Sequence, residues 1–216
     1  LDRSSAASDV YKRQVLGIRW FDCTVTGMEA HAGPTPMGLR KDAMLAATRI
    51  MQDVVAAAHR HPPHGRGTVG MVQVFPNSRN VIPGRVKFSI DLRNATDALV
   101  DQMADEVKAF AAKVGQEHGV DVKIEMVSSY NAIQFHENCV DAVGRAAKKL
   151  GYSNMPAVSG AGHDAVYMAK LAPSGMIFIP CKDGISHNEI EDAKPEHITA
   201  GCNVLLHAML ERAGVV

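Results

Sequence analysis

Apolar side chains recur along this chain with two different periods, which predict strands in some segments and helices in others. Alternation of apolar and polar residues, the period of a strand with one buried face, runs from Arg19 to Thr26. The same alternation marks the segments "TVGMVQVF", "RVKFSIDLR" and "DVKIEMV". In the second of these, the side chains predicted to face inward are Val86, Phe88, Ile90 and Leu92. Those predicted to face outward are Lys87, Ser89, Asp91 and Arg93.

Apolar residues spaced three to four positions apart predict two helices between these strands. The first follows Asp42, and its predicted apolar stripe is Met44, Ala47, Met51, Val54, Val55 and Ala58. The second follows Thr96, a candidate N-cap, and stops at Gly119. Its predicted stripe is Leu99, Met103, Val107, Phe110 and Val114. The order strand, helix, strand, strand, helix, strand predicts a ferredoxin-like βαββαβ domain, with both helices on one face of an antiparallel sheet.

The remaining residues alternate in the rhythm of an α/β layer. Helices are predicted near Glu137 to Leu150, from about Asp164, and from Pro195 to about Arg212. Short strands are predicted around Pro156 to Ser159 and in the apolar run "GMIFIP", which is expected to be buried. These strands are too few for a sheet of ordinary size, so we expect part of a larger α/β domain. The fold class is therefore α/β, or α+β.

The first segment, "LDRSSAASDVYKRQ", shows neither period. We interpret Leu1 to Gln14 as a non-native leader, translated from a cloning or sequencing adapter, and expect it to lie outside the fold. The predicted organisation is then a leader over residues 1–14, the ferredoxin-like domain over 15–132, and the α/β part over 133–216.

Charge and cysteine content narrow the classes of partner. Lys and Arg total 23, as do Asp and Glu, so no net field would recruit nucleic acid or an anionic membrane surface. No apolar run approaches the roughly 18 residues that a membrane span needs. The four cysteines lack CxxC spacing, which argues against a zinc ribbon and a secreted disulfide framework and favours the cytoplasm. A small neutral substrate or a protein partner fits this chain better.

Three loop clusters carry the candidate chemistry on glycine-rich backbone. His31 lies in "GMEAHAGPTPMGLRKDA", where it could bind metal, contact substrate or only decorate a turn. Asn80 lies in "PNSRNVIPG" and could hold a carboxylate or form an Asx-turn. The guanidinium of Arg93 could bind a carboxylate through two hydrogen bonds, or Arg93 could be an ordinary exposed strand residue. The backbone N–H groups of "SGAGHDA" could bind an anion or a polarised carbonyl oxygen, or the motif could be a simple strand-to-helix turn. His187 in "GISHNE" could be a metal ligand or could cap the loop.

Taken together and in order, four motifs resemble the hydantoinase/carbamoylase family of zinc-dependent amidases. They are "TVTGMEAHAGPTPMGLRKDA", "PNSRNVIPGRVKFSIDLR", "SGAGHDA" and "MIFIPCKDGISHNEIE". The resemblance runs from about Val15 to the end of the chain. It implies a small lid or dimerisation domain of ferredoxin-like topology, inserted into a larger metallopeptidase-like α/β catalytic domain.

The resemblance also implies a role for each matching residue. His187 would be the last metal ligand, Asn80 and Arg93 would bind the substrate carboxylate, and His31 would reach across a homodimer to polarise the carbamoyl or amide oxygen. Backbone contacts to the substrate would come from Gly160, Ala161 and Gly162. The implied cofactor is zinc, or manganese, nickel or cobalt, with two ions per site. A metal-bridging hydroxide and a glutamate general base would perform the hydrolysis.

This sequence departs from the family pattern at one point. It lacks the upstream His, Asp, paired Glu and second His motifs that supply most metal ligands and the general base. We therefore expect a C-terminal part of such an enzyme, which on its own binds no metal pair tightly and turns over no substrate.

The motifs contact features that several substrates share, so alternatives stay open. N-carbamoyl-L-amino acids and N-carbamoyl-β-alanine fit equally, and allantoate ranks third. An aminoacylase or metallopeptidase of the wider clan is a further reading, which N-acyl or peptide substrates would reveal. A noncatalytic dimerisation module, built on the ferredoxin-like sheet, is the alternative from a different class.

Overall fold

The computed structural model describes residues 9–215. By its internal contacts the described part of the chain divides into two units: Leu16–Ala132 forms one, and residues 133–215 together with Asp9–Val15 form the other. The strands are β1 (Asp9–Val15), β2 (Gly17–Thr26), β3 (Ala30–His31), β4 (Arg66–Thr68), β5 (Val72–Phe75), β6 (Val81–Ile82), β7 (Arg85–Asn94), β8 (Asp121–Tyr130), β9 (Ile133–Gln134), β10 (Asn154–Ser159) and β11 (Met176–Phe178). The helices are α1 (Ala43–Arg60), α2 (Asp97–His118), α3 (Glu137–Lys149), α4 (Ala165–Met168) and α5 (Pro195–Arg212).

The unit Leu16–Ala132 has the predicted ferredoxin-like topology. Its sheet has the strand order β4-β7-β2-β8, β5 also pairs with β7, and every pair is antiparallel. The N-caps lie where the sequence places them: the Asp42 carboxylate accepts the N–H groups of Met44 and Leu45, and the Thr96 hydroxyl accepts that of Leu99. The predicted fold class is confirmed.

The core of this unit lies between the sheet and the two helices. The inward residues of β7 are all 1% exposed or less, as their alternation predicts. On the neighbouring β2, Phe21, Cys23 and Val25 are buried against them. Burial raises the pKa of the Cys23 thiol to about 12, so this cysteine is a packing residue and not a nucleophile.

The buried stripe of α1 differs from the predicted one. It follows Ala43, Ala46, Ala47, Ile50, Asp53, Val54 and Ala57, while the predicted Val55 is 45% exposed. The small alanine side chains bring the helix backbone close to the core, and the larger methionines lie at the flanks of the contact. The same displacement occurs in α2, where Val100 is buried and the predicted Leu99 is 37% exposed.

One predicted strand is wrong, and one other strand is irregular. The segment "TVGMVQVF" is not one strand, because the Ser89 hydroxyl accepts hydrogen bonds from the backbone N–H groups of Gly70 and Met71 and interrupts the ladder between β4 and β5. On β8, Val122 and Ile124 pack against the core, whereas Met126 is 55% exposed. The register between β2 and β8 shifts between Trp20 and Phe21, close to the point where Met126 pairs with Phe21.

The second unit contains a strand where the sequence predicts none. Asp9–Val15 forms β1, which lies between β10 on one side and β11 on the other, although Leu1 to Gln14 was expected to lie outside the fold. A strand paired on both sides is held by its backbone, so it needs no alternating pattern of side chains. Whether this segment is native to the protein stays a prediction, and residues 1–8 lie outside the described part.

Other elements of this unit follow the prediction with smaller differences. Helix α5 has the predicted bounds, and α3 ends one residue before the predicted Leu150. The helix after Asp164 is a single turn, Ala165–Met168, and the strand in "GMIFIP" is half-exposed and not buried. Within residues 9–215, no helix has the length and apolar character that crossing a membrane requires.

Candidate functional site

His31 lies at the end of β3, at the start of a turn that shapes the presentation of its ring. Strand β3 pairs with β6, which puts His31 opposite Val81, and the side chain of His31 is exposed. Its carbonyl oxygen accepts the hydroxyl of Thr35 at 2.6 Å, which closes the turn that follows. The imidazole therefore projects from backbone that is hydrogen-bonded on both sides.

The geometry around the His31 ring determines which nitrogen can donate. The backbone N–H of Gly33 donates to His31 Nδ1 at 3.0 Å. A neutral imidazole carries one proton, so with Nδ1 acting as acceptor the proton is on Nε2. With its proton on Nε2, the exposed ring offers an N–H donor, a kind of group that can polarise a carbonyl oxygen.

Arg40 braces this loop, a function that the sequence does not single out. Its guanidinium donates to the carbonyl oxygen of Ala32 at 2.7 Å and to that of Thr35 at 2.9 and 3.1 Å. Both carbonyls belong to the turn after His31. An arginine a few residues beyond a Gly/Pro-rich loop is the sequence signal that would have indicated such a brace.

Asn80 lies beside the His31 turn in the fold, although the two residues are far apart in the sequence. The backbone N–H of Ala32 donates to the Asn80 carbonyl oxygen at 2.8 Å. The Ser78 hydroxyl donates to Asn80 Oδ1 at 2.9 Å, so the amide nitrogen is the end of the side chain that can donate to an anion. The two predicted site residues of this loop pair are therefore brought together.

Arg93 has a carboxylate partner within its own strand. Its Nε and Nη2 atoms donate to the two oxygens of Asp91, with the shortest distance 2.6 Å between Nη2 and Oδ2. This hydrogen bond raises the pKa of Arg93 above its ordinary value, so the guanidinium stays charged. The fork is half-buried, and Asp91 fixes its orientation.

The structure does not bring Arg93 to His31 and Asn80. Asn80 belongs to the connection that enters β7 at Arg85, and Arg93 lies eight residues further along the same strand. At about 3.3 Å per residue, Arg85 and Arg93 are about 26 Å apart, which is more than the length of a small carbamoyl amino acid. Within one chain, these residues cannot contact one substrate molecule together.

In the second unit, Gly160, Ala161 and Gly162 form a loop held by the residues that flank it. The buried Ser159 hydroxyl lies 2.7 Å from His163 Nε2 and accepts the backbone N–H of Ala161 at 3.3 Å. The His163 ring packs edge-on against Phe178, the last residue of β11. The loop is exposed, and because α4 after it is a single turn, a helix dipole contributes little to anion binding there.

His187 lies in a turn, nine residues beyond the end of β11. Its φ of 58° is in the left-handed region, which residues other than glycine seldom adopt, and its backbone N–H donates to the Glu191 carboxylate at 2.8 Å. The exposed imidazole of His187 could supply one ligand to a metal ion. Within residues 9–215, no three His, Cys, Asp or Glu side chains are close enough to hold a metal ion, so these residues do not fit a complete two-metal site.

Comparison with known proteins identifies the family. The sequence profile of peptidase family M20/M25/M40 matches residues 25–211, and the chain belongs to this family. The chain is 46% identical over 93% of its length to the N-carbamoyl-L-amino-acid amidohydrolase of Rhizobium meliloti, and 31% identical over 92% to the allantoate amidohydrolase of Bacillus subtilis. A hydantoinase/carbamoylase family amidase from Burkholderia multivorans superposes on 96% of the chain with 50% identity and a TM-score of 0.92.

The predicted resemblance to hydantoinase/carbamoylase amidases is thereby confirmed. The chain spans about half the length of these relatives: it covers 48% of each of the two amidohydrolases and 51% of the Burkholderia chain. Both units lie within the matched part, because the structural match covers 96% of the chain.

Proposed function

We propose that this chain is the substrate-orienting part of a metal-dependent amidohydrolase that cleaves the carbamoyl C–N bond of N-carbamoyl amino acids. The proposed substrates are N-carbamoyl-L-amino acids or N-carbamoyl-β-alanine, and the relative from Rhizobium meliloti is named for the first of these. Residues 15–132 would be the lid or dimerisation domain of a cytoplasmic homodimer, and residues 133–216 a part of the catalytic domain. The single observation that carries the proposal is the hydrogen bond from Gly33 to His31 Nδ1.

His31 has the chemistry that hydrolysis of a carbamoyl group needs. When the carbamoyl carbon becomes tetrahedral, negative charge develops on its oxygen, and a donor fixed in advance stabilises that charge. The Nε2–H of His31 is such a donor, since Gly33 fixes the tautomer and Arg40 holds the loop. Metal ligation by His31 is the weaker alternative, because within residues 9–215 it belongs to no group of three His, Cys, Asp or Glu side chains that could hold a metal ion.

The substrate carboxylate would be bound by the Asn80 amide and the Arg93 guanidinium. Asn80 precedes β7, and about 26 Å of that strand lies between its first residue, Arg85, and Arg93, so both side chains would act on one substrate only if two protomers contribute. We propose that one protomer supplies Arg93 and that the other supplies Asn80 with His31. This requirement favours a homodimer.

The second unit would contribute backbone and one metal ligand. The loop Gly160, Ala161 and Gly162 would contact the substrate through its peptide groups, and His187 would supply one imidazole ligand to zinc, manganese, nickel or cobalt. The other ligands and the general base would come from polypeptide outside this chain. The chain alone is therefore expected to show neither stoichiometric metal binding in a zinc titration nor turnover.

A chimeric enzyme tests the proposal. Residues 15–216 would replace the matched segment of the Rhizobium meliloti amidohydrolase, and ammonia release would be measured with N-carbamoyl-L-amino acids, N-carbamoyl-β-alanine, allantoate, an N-acyl amino acid and a dipeptide. We expect the first or second substrate to be hydrolysed fastest. His31→Ala should lower kcat by about 10²-fold to 10³-fold, as loss of one oxyanion donor does, with the metal content unchanged. His59→Ala, which removes another exposed histidine, is the control.

Three results would contradict the proposal. Loss of metal on His31→Ala would make this residue a ligand. Preference for the N-acyl amino acid or the dipeptide would place the chain with aminoacylases or peptidases. A chimera that dimerises and binds metal but hydrolyses none of the five substrates would favour the noncatalytic dimerisation module.

A further inference from the structure

Arg66 of β4 lies directly opposite Arg93 of β7. The two strands are antiparallel, and their register pairs Arg66 with Arg93 and Thr68 with Asp91. Side chains at directly opposed positions of an antiparallel pair project from the same face of the sheet, with their Cβ atoms about 4.5 to 5.5 Å apart. Because an arginine side chain is always protonated in proteins, two positive charges start side by side at this place on the sheet.

The protein compensates only part of this charge. Asp91 forms an ion pair with Arg93. Arg66 is exposed, and among the side chains that the structure describes no carboxylate forms an ion pair or hydrogen bond with it. Arg66, Arg93 and Asp91 together therefore carry one net positive charge. Like charges directly opposite one another destabilise a pair of strands, so an anion bound beside Arg66 would relieve the repulsion.

The hydrogen bonds of the two arginines show which side of each guanidinium can bind an anion. Arg93 donates from Nε and Nη2 to Asp91, and this pair of atoms is one with which arginine binds a carboxylate through two parallel hydrogen bonds. Arg93 cannot offer these atoms to a substrate while it binds Asp91. Arg66 donates from Nη1 to the carbonyl oxygens of Pro63 and Gly65, at 3.0 and 2.9 Å. Its Nε and Nη2 donate to none of the residues that the structure describes.

The backbone that carries Arg66 is held in a compact turn. The N–H of Gly65 donates to the carbonyl oxygen of His61 at 2.8 Å, and a Cβ added at Gly65 would meet the carbonyl oxygen of Ala58 at the end of α1. On its other side, Arg66 pairs with β7. The guanidinium therefore extends from fixed backbone and is tied to it through Nη1, which reduces the conformational entropy that binding of an anion removes.

We propose that Arg66 is a second arginine that binds the substrate carboxylate, beside Arg93 of the same protomer. Arg66 donates to the carboxylate from Nε and Nη2, and Arg93, oriented by Asp91, contributes its charge from the neighbouring strand. The inference rests on the proposed function and deepens it, because recognition of the carboxylate then depends on two cations. Ureido compounds that carry a carboxylate are preferred over uncharged ones for this reason.

Kinetics of the chimeric enzyme test the role of Arg66. Arg66→Gln should raise KM for N-carbamoyl-L-alanine about tenfold and leave kcat within about twofold, because the lost contact holds substrate and transition state alike. For N-carbamoyl-L-alaninamide, which has no carboxylate, KM should change by less than about twofold. Arg66→Lys, which keeps the charge without the planar guanidinium, should raise KM for the carboxylate substrate about threefold. Lys123→Gln removes one positive charge from β8 of the same sheet and is the matched control, with both constants within about twofold.

A second measurement needs no turnover. In NMR spectra of the full, isotope-labelled chain, millimolar N-carbamoyl-L-alanine should shift the Nε–H signal of Arg66, which is identified by its loss in Arg66→Gln, and N-carbamoyl-L-alaninamide should not. This selective shift together with an inactive chimera would contradict the proposed function and support carboxylate binding by Arg66. An active chimera whose KM is unchanged in Arg66→Gln, an equal rise of KM for both compounds, or the absence of a selective shift would overturn the inference.

Discussion

Glu106 shows at the scale of one residue how the two helices of the unit Leu16–Ala132 are joined. Its carboxylate accepts Arg60 Nε at 3.0 Å and lies 2.9 Å from His61 Nε2, both at the end of α1. Gln102, one turn earlier on α2, donates to it as well. Burial acts to raise the pKa of Glu106, but the hydrogen bonds from His61 and Arg60 outweigh it and the pKa is lowered.

A lowered carboxylate pKa makes stability depend on pH in a defined direction. The contribution of Glu106 is complete above the ordinary glutamate pKa of about 4.3 and is lost as pH falls through the lower pKa of the folded state. We expect Glu106→Gln to reduce the free energy of unfolding at pH 7 by about 0.5 to 1 kcal/mol, since the group is partly exposed. Urea unfolding at pH 7 and pH 3 measures this.

The neighbouring Asp105 provides the control for this prediction. Its side chain is 78% exposed, so Asp105→Asn should leave the unfolding free energy unchanged within about 0.5 kcal/mol at both pH values. A Glu106→Gln deficit as large at pH 3 as at pH 7 would mean that lost packing, and not the charge, causes the effect.

Residues of the candidate site were predictable by type and position but not by contact. The motifs identify His31, Asn80 and Arg93, whereas the partner of Arg93 on its own strand and the brace by Arg40 follow from the folded backbone. Sequence spacing also does not reveal that Asn80 lies in the connection before β7 while Arg93 lies near the far end of that strand. A few residues of extended strand span a large distance, whereas a loop can bring residues that are far apart in the sequence close together.

Strand β4 packs so closely against helix α1 that one position between these two elements has no room for a side chain. At Gly67 in β4, an added Cβ would meet the carbonyl oxygen of Val54 in α1. Backbone cannot yield as a flexible side chain does, so glycine is required there. Gly70, three residues further along, has Ser89 Oγ as its nearest neighbour at 3.8 Å and leaves room for a methyl group.

Gly67→Ala should therefore lower the free energy of unfolding by about 2 kcal/mol, the usual cost of forcing a methyl group into a packed contact. Gly70→Ala, in the same segment, should change it by less than about 0.5 kcal/mol. Urea denaturation of both variants compares them directly. Equal stability of Gly67→Ala and the unchanged protein would show that β4 can move away from α1 at little cost.

The elements themselves were predicted well where the pattern was regular and poorly where backbone contacts decide. Alternation placed β7 correctly, and the caps Asp42 and Thr96 set the starts of α1 and α2. Large side chains misled the choice of buried face in α1, because alanine makes the close contact there. The β1 segment shows no alternation of apolar and polar residues, and backbone pairing with β10 and β11 holds it in the sheet instead.

At the scale of the whole molecule, the two units have cores of different composition. The core of Leu16–Ala132 contains large side chains such as Phe21, Phe88 and Ile90. The clusters of the other unit are built mostly of alanine and valine, for example Ala142, Ala147 and Val204. Larger buried side chains remove more apolar area from water, at about 25 cal/mol for each Å². The unit Leu16–Ala132 should therefore be the more stable one.

Unfolding should then proceed in two steps, with α3 and α5 opening at lower urea than β2 and β7. Hydrogen exchange detected by mass spectrometry at graded urea concentrations measures both midpoints in the same sample. Val204→Ala should lower the α3 and α5 midpoint alone, and Ile90→Ala the β2 and β7 midpoint alone, because each side chain is buried in one core, with a cost of about 2 kcal/mol or more. A shared midpoint that both variants lower equally would show instead that the chain unfolds as one cooperative structure.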